Sequence, residues 1–220
     1  MFSSFLDIKE GQIMRIIPIN NSIPQAYTFK GSVDNSVSDF ITKTAEDEAA
    51  KKSKYAEVDN TNYIKNADVV IEDLKGYMSN LHPDTVLRMR DNNSDNVVMY
   101  NSLLDTTIQI LPKSRVWDNT PIRYRIELDP YWLSRYRVSS CKDFSDKLRQ
   151  HSPQDIDQLF IGKSIENLSR KVQDHYKNNL KNPEQKAEID KQIDKILKYQ
   201  KDVSLNLYTR EEIQKRVCAV

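Results

Sequence analysis

Glycine is scarce, with four in 220 residues: Gly11, Gly31, Gly76 and Gly162. Loops that cradle phosphates set glycines a few residues apart, so that the backbone can close on the ligand. Here no two glycines lie closer than twenty residues, which excludes the phosphate-loop and dinucleotide fingerprints. No cofactor is expected. Cysteine is equally sparse: Cys141 and Cys218 stand far apart. A disulfide framework or a structural zinc site needs more thiols, or a local pair. No apolar run approaches the about 20 residues of a membrane helix. The start, MFSSFLDIKEGQ, has neither a basic leader nor a continuous apolar stretch. The expectation is a soluble cytoplasmic chain, or one built into a particle assembled there, with no membrane partner. Net charge is missing too. At +1, no global field draws the chain to nucleic acid, so any such binding must come from a local patch.

What is present suffices for a core. Hydrophobic residues make up 38% and charged residues 30% of the chain, a globular rather than a disordered balance. QIMRIIPIN at 12–20 reads as a strand, kept short or at an edge by Pro18. Residues 20–35 read as loop, and 36–58 as a lean helix with Val37, Phe40, Ile41 and Thr44 on one face. The strongest periodicity predicts a helix over 62–80, in which Ala67, Val70, Ile71, Leu74, Tyr77 and Met78 recur at three- and four-residue steps. His82-Pro83 ends it. TVLRMR at 85–90, the turn residues DNNSDN and VVMY at 97–100 form a hairpin signature, followed by the alternating segments 105–112 and 122–129.

After Asp129-Pro130 the chain reads as mostly helical. Ser152-Pro153 and Asn182-Pro183 place a capping residue before Pro at the first helical position. Ser152 with Asp155, and Thr209 with Glu212, have capping-box spacing. Helices are predicted over 153–161, 164–181, 183–201 and 210–218, with VSLNLY at 203–208 as a candidate strand returning to the sheet. Ile165, Leu168, Val172 and Tyr176 on one helix, and Ile189, Ile193, Ile196 and Leu197 on the next, form narrow apolar stripes. They suit packing on each other, or docking onto another subunit. The fold class is therefore α+β: an antiparallel β-meander packed with an amphipathic helix, followed by a mostly helical C-terminal region. The division falls into an α+β domain over 1–140 and a helical subdomain over 141–220.

Chemistry-bearing patterns are thin. Asp91, Asn93 and Asp95 alternate like a calcium loop, but Asn96 and Ser102 stand where that loop needs Gly and Glu, so a solvated hairpin tip is the simpler reading. His82, His151 and His175 lack helical metal-ligand spacing and read as surface or cap-side residues. Neither a metal site nor a catalytic residue is expected. Glu127 and Asp129 share a strand face with Arg123 and Arg125, which suits cross-strand ion pairing.

Arginine distribution is the one asymmetry. Arg88, Arg90, Arg115, Arg123, Arg125, Arg135, Arg137 and Arg149 crowd the middle of the chain, whereas the C-terminal helices use mostly Lys. Arginine is favoured where a planar cation with several donors must be held in fixed geometry, as at interfaces, on carboxylates and on phosphates. In PIRYRIELDPYWLSRYRVSS (121–140), Tyr124 falls in phase with Ile122, Ile126 and Leu128, so the aromatic points to the core and the arginines outward. Arg88, Arg90, Arg123, Arg125, Arg135 and Arg137 are thus the candidate partner-binding residues. The expectation is a non-enzymatic structural or interaction subunit of a larger assembly, a homo- or hetero-oligomer, of a composition that suits a phage neck, tail or baseplate component. The alternative is a single-stranded nucleic-acid-binding protein that uses the arginine-rich strand faces.

Overall fold

The computed structural model describes residues 30–53, 61–90, 97–112, 125–128, 145, 148–176 and 182–218. The sequence-predicted strand at 12–20, the DNNSDN tip and the 129–140 segment lie outside them. The described chain is α+β. A five-stranded sheet runs in the order β1-β2-β3-β4-β5: β1 Ser32–Val33, β2 Thr85–Met89, β3 Val97–Asn101, β4 Thr106–Pro112 and β5 Arg125–Leu128. Strands β2, β3 and β4 form the antiparallel meander expected from their alternation. The outer pairs, β1 with β2 and β4 with β5, are parallel, so the whole sheet is mixed.

Two helices precede β2: α1 Asn35–Ser53 and α2 Thr61–Met78. The Asp34 carboxylate accepts the Ser36 N–H at 2.9 Å and so fixes the start of α1. Val37, Ile41, Ala45 and Ala49 then fall on one buried face, four residues apart as a helix stripe requires. The alanines let α1 approach α2, which contributes Ala67, Val70, Ile71, Leu74 and Met78. Chain entry is equally close. The Gly31 N–H donates to the Leu81 carbonyl at 3.1 Å, and a Cβ at Gly31 would stand 2.6 Å from the Met78 carbonyl oxygen. Leu87, Met99 and Ile108 of the sheet join the helices in one core cluster.

Among the described residues from Pro153 on, three α-helices follow: α3 Pro153–Lys171, which runs into a π-helical turn at Val172–Tyr176, then α4 Pro183–Asp202 and α5 Arg210–Cys218. The capping signals act where the sequence put them. Ser152 and Asp155 form a reciprocal capping box. The Asn182 side chain accepts from the Glu184 N–H at 2.9 Å. Thr209 and Glu212 exchange bonds of 2.8 and 3.2 Å. The expected break near Gly162 is absent: α3 continues through it, because Gly162 is buried inside a packed helix and tertiary contacts offset the cost of its flexibility.

VSLNLY is not a strand either. Val203 and Leu205 are buried, so the alternation is real, but the backbone is held by the end of α4. The Gln200 side chain accepts from the Leu207 and Tyr208 N–H groups at 3.1 and 3.0 Å, and donates to the Tyr208 carbonyl at 3.0 Å. One glutamine thus does what a neighbouring strand would otherwise do.

The described members of the two apolar stripes pack inside the protein, with Leu197 partly buried at the edge. Ile165 and Leu168 of α3, Val172 of the π-helical turn, and Ile189, Ile193 and Ile196 of α4 are all buried in the common core, and α3 in turn packs on β4.

Candidate functional site

Sheet register brings two of the nominated arginines into line. Arg88 pairs with Val98, Val98 with Gln109, and Gln109 with Arg125. The four form one row across β2 to β5, about 14 Å from end to end at about 4.8 Å per strand. A row keeps to one face of a sheet, and the adjacent row of that face is Val86, Tyr100 and Thr107. Leu87, Met99 and Ile108 occupy the other face, where the helical core lies. Ile126 registers with Ile110 and, through it, with Val97 of the core face. The phase expected for this strand is the one its backbone pairing shows.

Arg88 is exposed, and its guanidinium lies 4.2 Å from the centroid of the Tyr100 ring. That stacking holds the planar cation in a set orientation while its edge remains available for hydrogen bonding. The Tyr100 hydroxyl donates to Asp105 Oδ1 at 3.0 Å. Burial, followed by this bond and the Asp105 charge, raises the Tyr100 phenol above its ordinary range. Val98 is buried yet stands outside the core cluster. Beside it the Gln109 side-chain oxygen is buried and has no hydrogen-bond partner among the described residues. Arg90 follows Arg88 by two residues and is exposed. Arg125 takes its place by backbone register. Arg123, Arg135 and Arg137 lie outside the described residues. Arg149 forms an ion pair with Asp73.

A second polar feature runs through the interior, and the sequence did not disclose it. Asn101 accepts the Leu104 N–H at 3.0 Å and donates to the Thr85 hydroxyl at 2.9 Å. Thr85 stands close enough to the Tyr199 phenol to oppose the rise in its pKa, and that phenol donates to Asp157 Oδ1 at 2.6 Å. This thread joins β3, β2, α4 and α3, with every member buried. Burial pushes the Asp157 carboxyl up to about 7, against the opposing pull of the Tyr199 bond. It also raises the Tyr199 phenol well above its usual range, aided by the Asp157 charge.

His82 packs against the Tyr199 ring at 4.8 Å. Its Nδ1 accepts the Asp84 N–H at 3.2 Å, which leaves the proton on Nε2, and Nε2 lies 3.5 Å from the Asp202 carboxylate. Burial lowers the His82 pKa, with the Asp202 bond and the charges of Asp84 and Asp202 pulling the other way. The surface placement expected for His82 is therefore wrong: it is 3% exposed, because the turn after α2 folds it onto α4. A lone His before Pro gives no local sign of that long-range contact. His151 contributes its backbone carbonyl, which accepts the buried Tyr77 hydroxyl at 2.9 Å.

Among the described residues, no group of three or more His, Cys, Asp or Glu could hold a metal ion, and no helix is long and apolar enough to cross a membrane. Compared with protein-family models, with curated proteins and with solved structures, the chain matches none.

Proposed function

We propose that this chain is a structural subunit of a multi-protein assembly and that it docks an acidic partner surface through the arginine-bearing face of its sheet. The observation that carries this reading is the exposed, ring-stacked Arg88 at one end of the Arg88–Val98–Gln109–Arg125 row; Val98 and Gln109 are buried, so a partner would meet the row at its arginine ends. The Arg88 guanidinium, oriented by an aromatic ring, suits a carboxylate on a protein surface, and Arg125 falls in the same row by backbone register. The burial of Ile165, Leu168, Ile189, Ile193 and Ile196 in the core favours the sheet face over the C-terminal stripes as the docking surface. The composition suits a virion part such as a phage neck, tail or baseplate subunit.

The same face supports single-stranded nucleic acid less well. A stacking platform needs an open aromatic face, and the Tyr100 ring carries the Arg88 guanidinium with Asp105 at its hydroxyl. Two measurements separate the readings. Light scattering across a concentration series is expected to show self-association, or co-purification from the native source a stoichiometric protein partner. A monodisperse monomer without such a partner overturns the proposal. Titration with single-stranded RNA or DNA at two salt concentrations is expected to show no salt-sensitive binding, and strong binding at low salt would favour the alternative.

A further inference from the structure

Apart from the sheet face, a cleft of about 130 Å³ opens between the β3–β4 turn, α3 and α4. Its walls carry Thr106, Ser164, Asn167, Lys171, Gln192 and Lys195. That volume is well below the about 300–1,000 Å³ of sites for drug-sized ligands, and well above the about 10–15 Å³ that admits one water. It suits a small polar group.

The deep part is built from two buried hydroxyls. Thr106 is 2% exposed and Ser164 6%, and their oxygens are 2.8 Å apart. Thr106 also reaches the Leu104 carbonyl at 3.0 Å, and Ser164 the Phe160 carbonyl at 2.8 Å. Two hydroxyl protons therefore share three possible bonds. One proton can turn to an incoming acceptor while the pair stays linked. Asn167 and Gln192 add amides on the side walls, and Lys171 and Lys195 add two cations.

Two carboxylates stand nearby. Asp105 lines the cleft, with one oxygen engaged by the Tyr100 hydroxyl. Glu188 accepts the Gln192 amide at 2.9 Å. Its pKa is lowered first by that bond and then by the charges of Lys171, Lys191 and Lys195, so three lysine charges lie near this side of the cleft. Lysine ammonium groups above neutral donors form the recognition set of an oxyanion.

We infer that the cleft between the β3–β4 turn, α3 and α4 binds a small oxyanion, a phosphate or a carboxylate, with Lys171 and Lys195 supplying charge and the Thr106–Ser164 pair supplying the inner hydrogen bond. The assignment does not depend on the sheet-face reading, because its cations and hydroxyl donors are different residues.

Thermal unfolding of the full chain, with inorganic phosphate or succinate titrated from 0 to about 20 mM at ionic strength held constant with potassium chloride, tests the assignment. A saturable rise in Tm is expected with one of the two anions, and the preferred anion tells phosphate from carboxylate. The Lys171→Gln/Lys195→Gln double variant is expected to weaken that response at least tenfold in concentration. As a check on folding, Lys195→Arg keeps the charge and should keep the response. Amide NMR of the native chain should show anion-dependent shifts at the Asn167 side chain. No saturable response to either anion, or an undiminished response in the double variant, overturns the site.

Discussion

Asp157 sits in α3 with Tyr199 as its hydrogen-bond donor and is 5% exposed, so its titration is coupled to folding. Its folded-state pKa of about 7 lies above the ordinary 3.8. The folded chain therefore holds a proton that the unfolded chain has released. The stability this contributes is full below about pH 3.8 and is lost as the pH rises towards about 7. The linkage is worth about 1.4 kcal/mol per pH unit, a few kcal/mol at most across the window. His82 acts in the opposite sense: its lowered pKa gives stability that is present above 6.5 and lost as the pH falls through the lower folded value. Asp157→Asn keeps an acceptor for Tyr199 and removes the ionisation. Urea midpoints measured from pH 4 to 8 should show a variant that gains relative to the parent as the pH rises, and is the more stable of the two at pH 8. A parent and variant with parallel profiles would contradict the assignment.

Glycine gives a second contrast at this scale. Gly31→Ala would drive a Cβ to 2.6 Å from the Met78 backbone oxygen and should destabilise by about 1–3 kcal/mol. At Gly76, in α2, an added Cβ would meet nothing within 4 Å. Gly76→Ala should stabilise by about 1 kcal/mol through helix propensity. Thermal denaturation of the two variants should move in opposite directions.

Elements with local signals were legible in the sequence. The apolar step of α2, the alternation of β2, β3 and β4, and the caps at Ser152, Asn182 and Thr209 each follow from residues within a few positions of one another. Misreadings arose where distant residues decide. Gly162 looks like a break until packing around α3 is present. The 203–208 segment alternates like a strand, but its hydrogen bonds go to Gln200. Replacing that glutamine tests the point. Gln200→Ala should cost about 1–3 kcal/mol by leaving the Leu207 and Tyr208 backbone groups without their partner, and should speed amide exchange in 205–209 before it affects the sheet. An unchanged exchange pattern there would contradict this role. The candidate site was half legible. Strand phase put Arg88 and Arg125 outward, but only the β2–β5 register shows that they share one row. Nothing local marks Asp157 and Tyr199 as partners, since 42 residues separate them.

At the scale of the whole molecule, the polar thread and the continuous core tie the sheet to the C-terminal helices. Under the proposed function, a partner on the sheet face would act on a body braced by α3 and α4. The most direct test is light scattering of the assembled species, homo-oligomer or partner complex, for the parent and for Arg88→Glu/Arg125→Glu. The proposal predicts that charge reversal releases a folded chain at the monomer mass of 25.7 kDa, with unchanged circular dichroism. An assembly of undiminished mass and affinity in the reversed variant would contradict it.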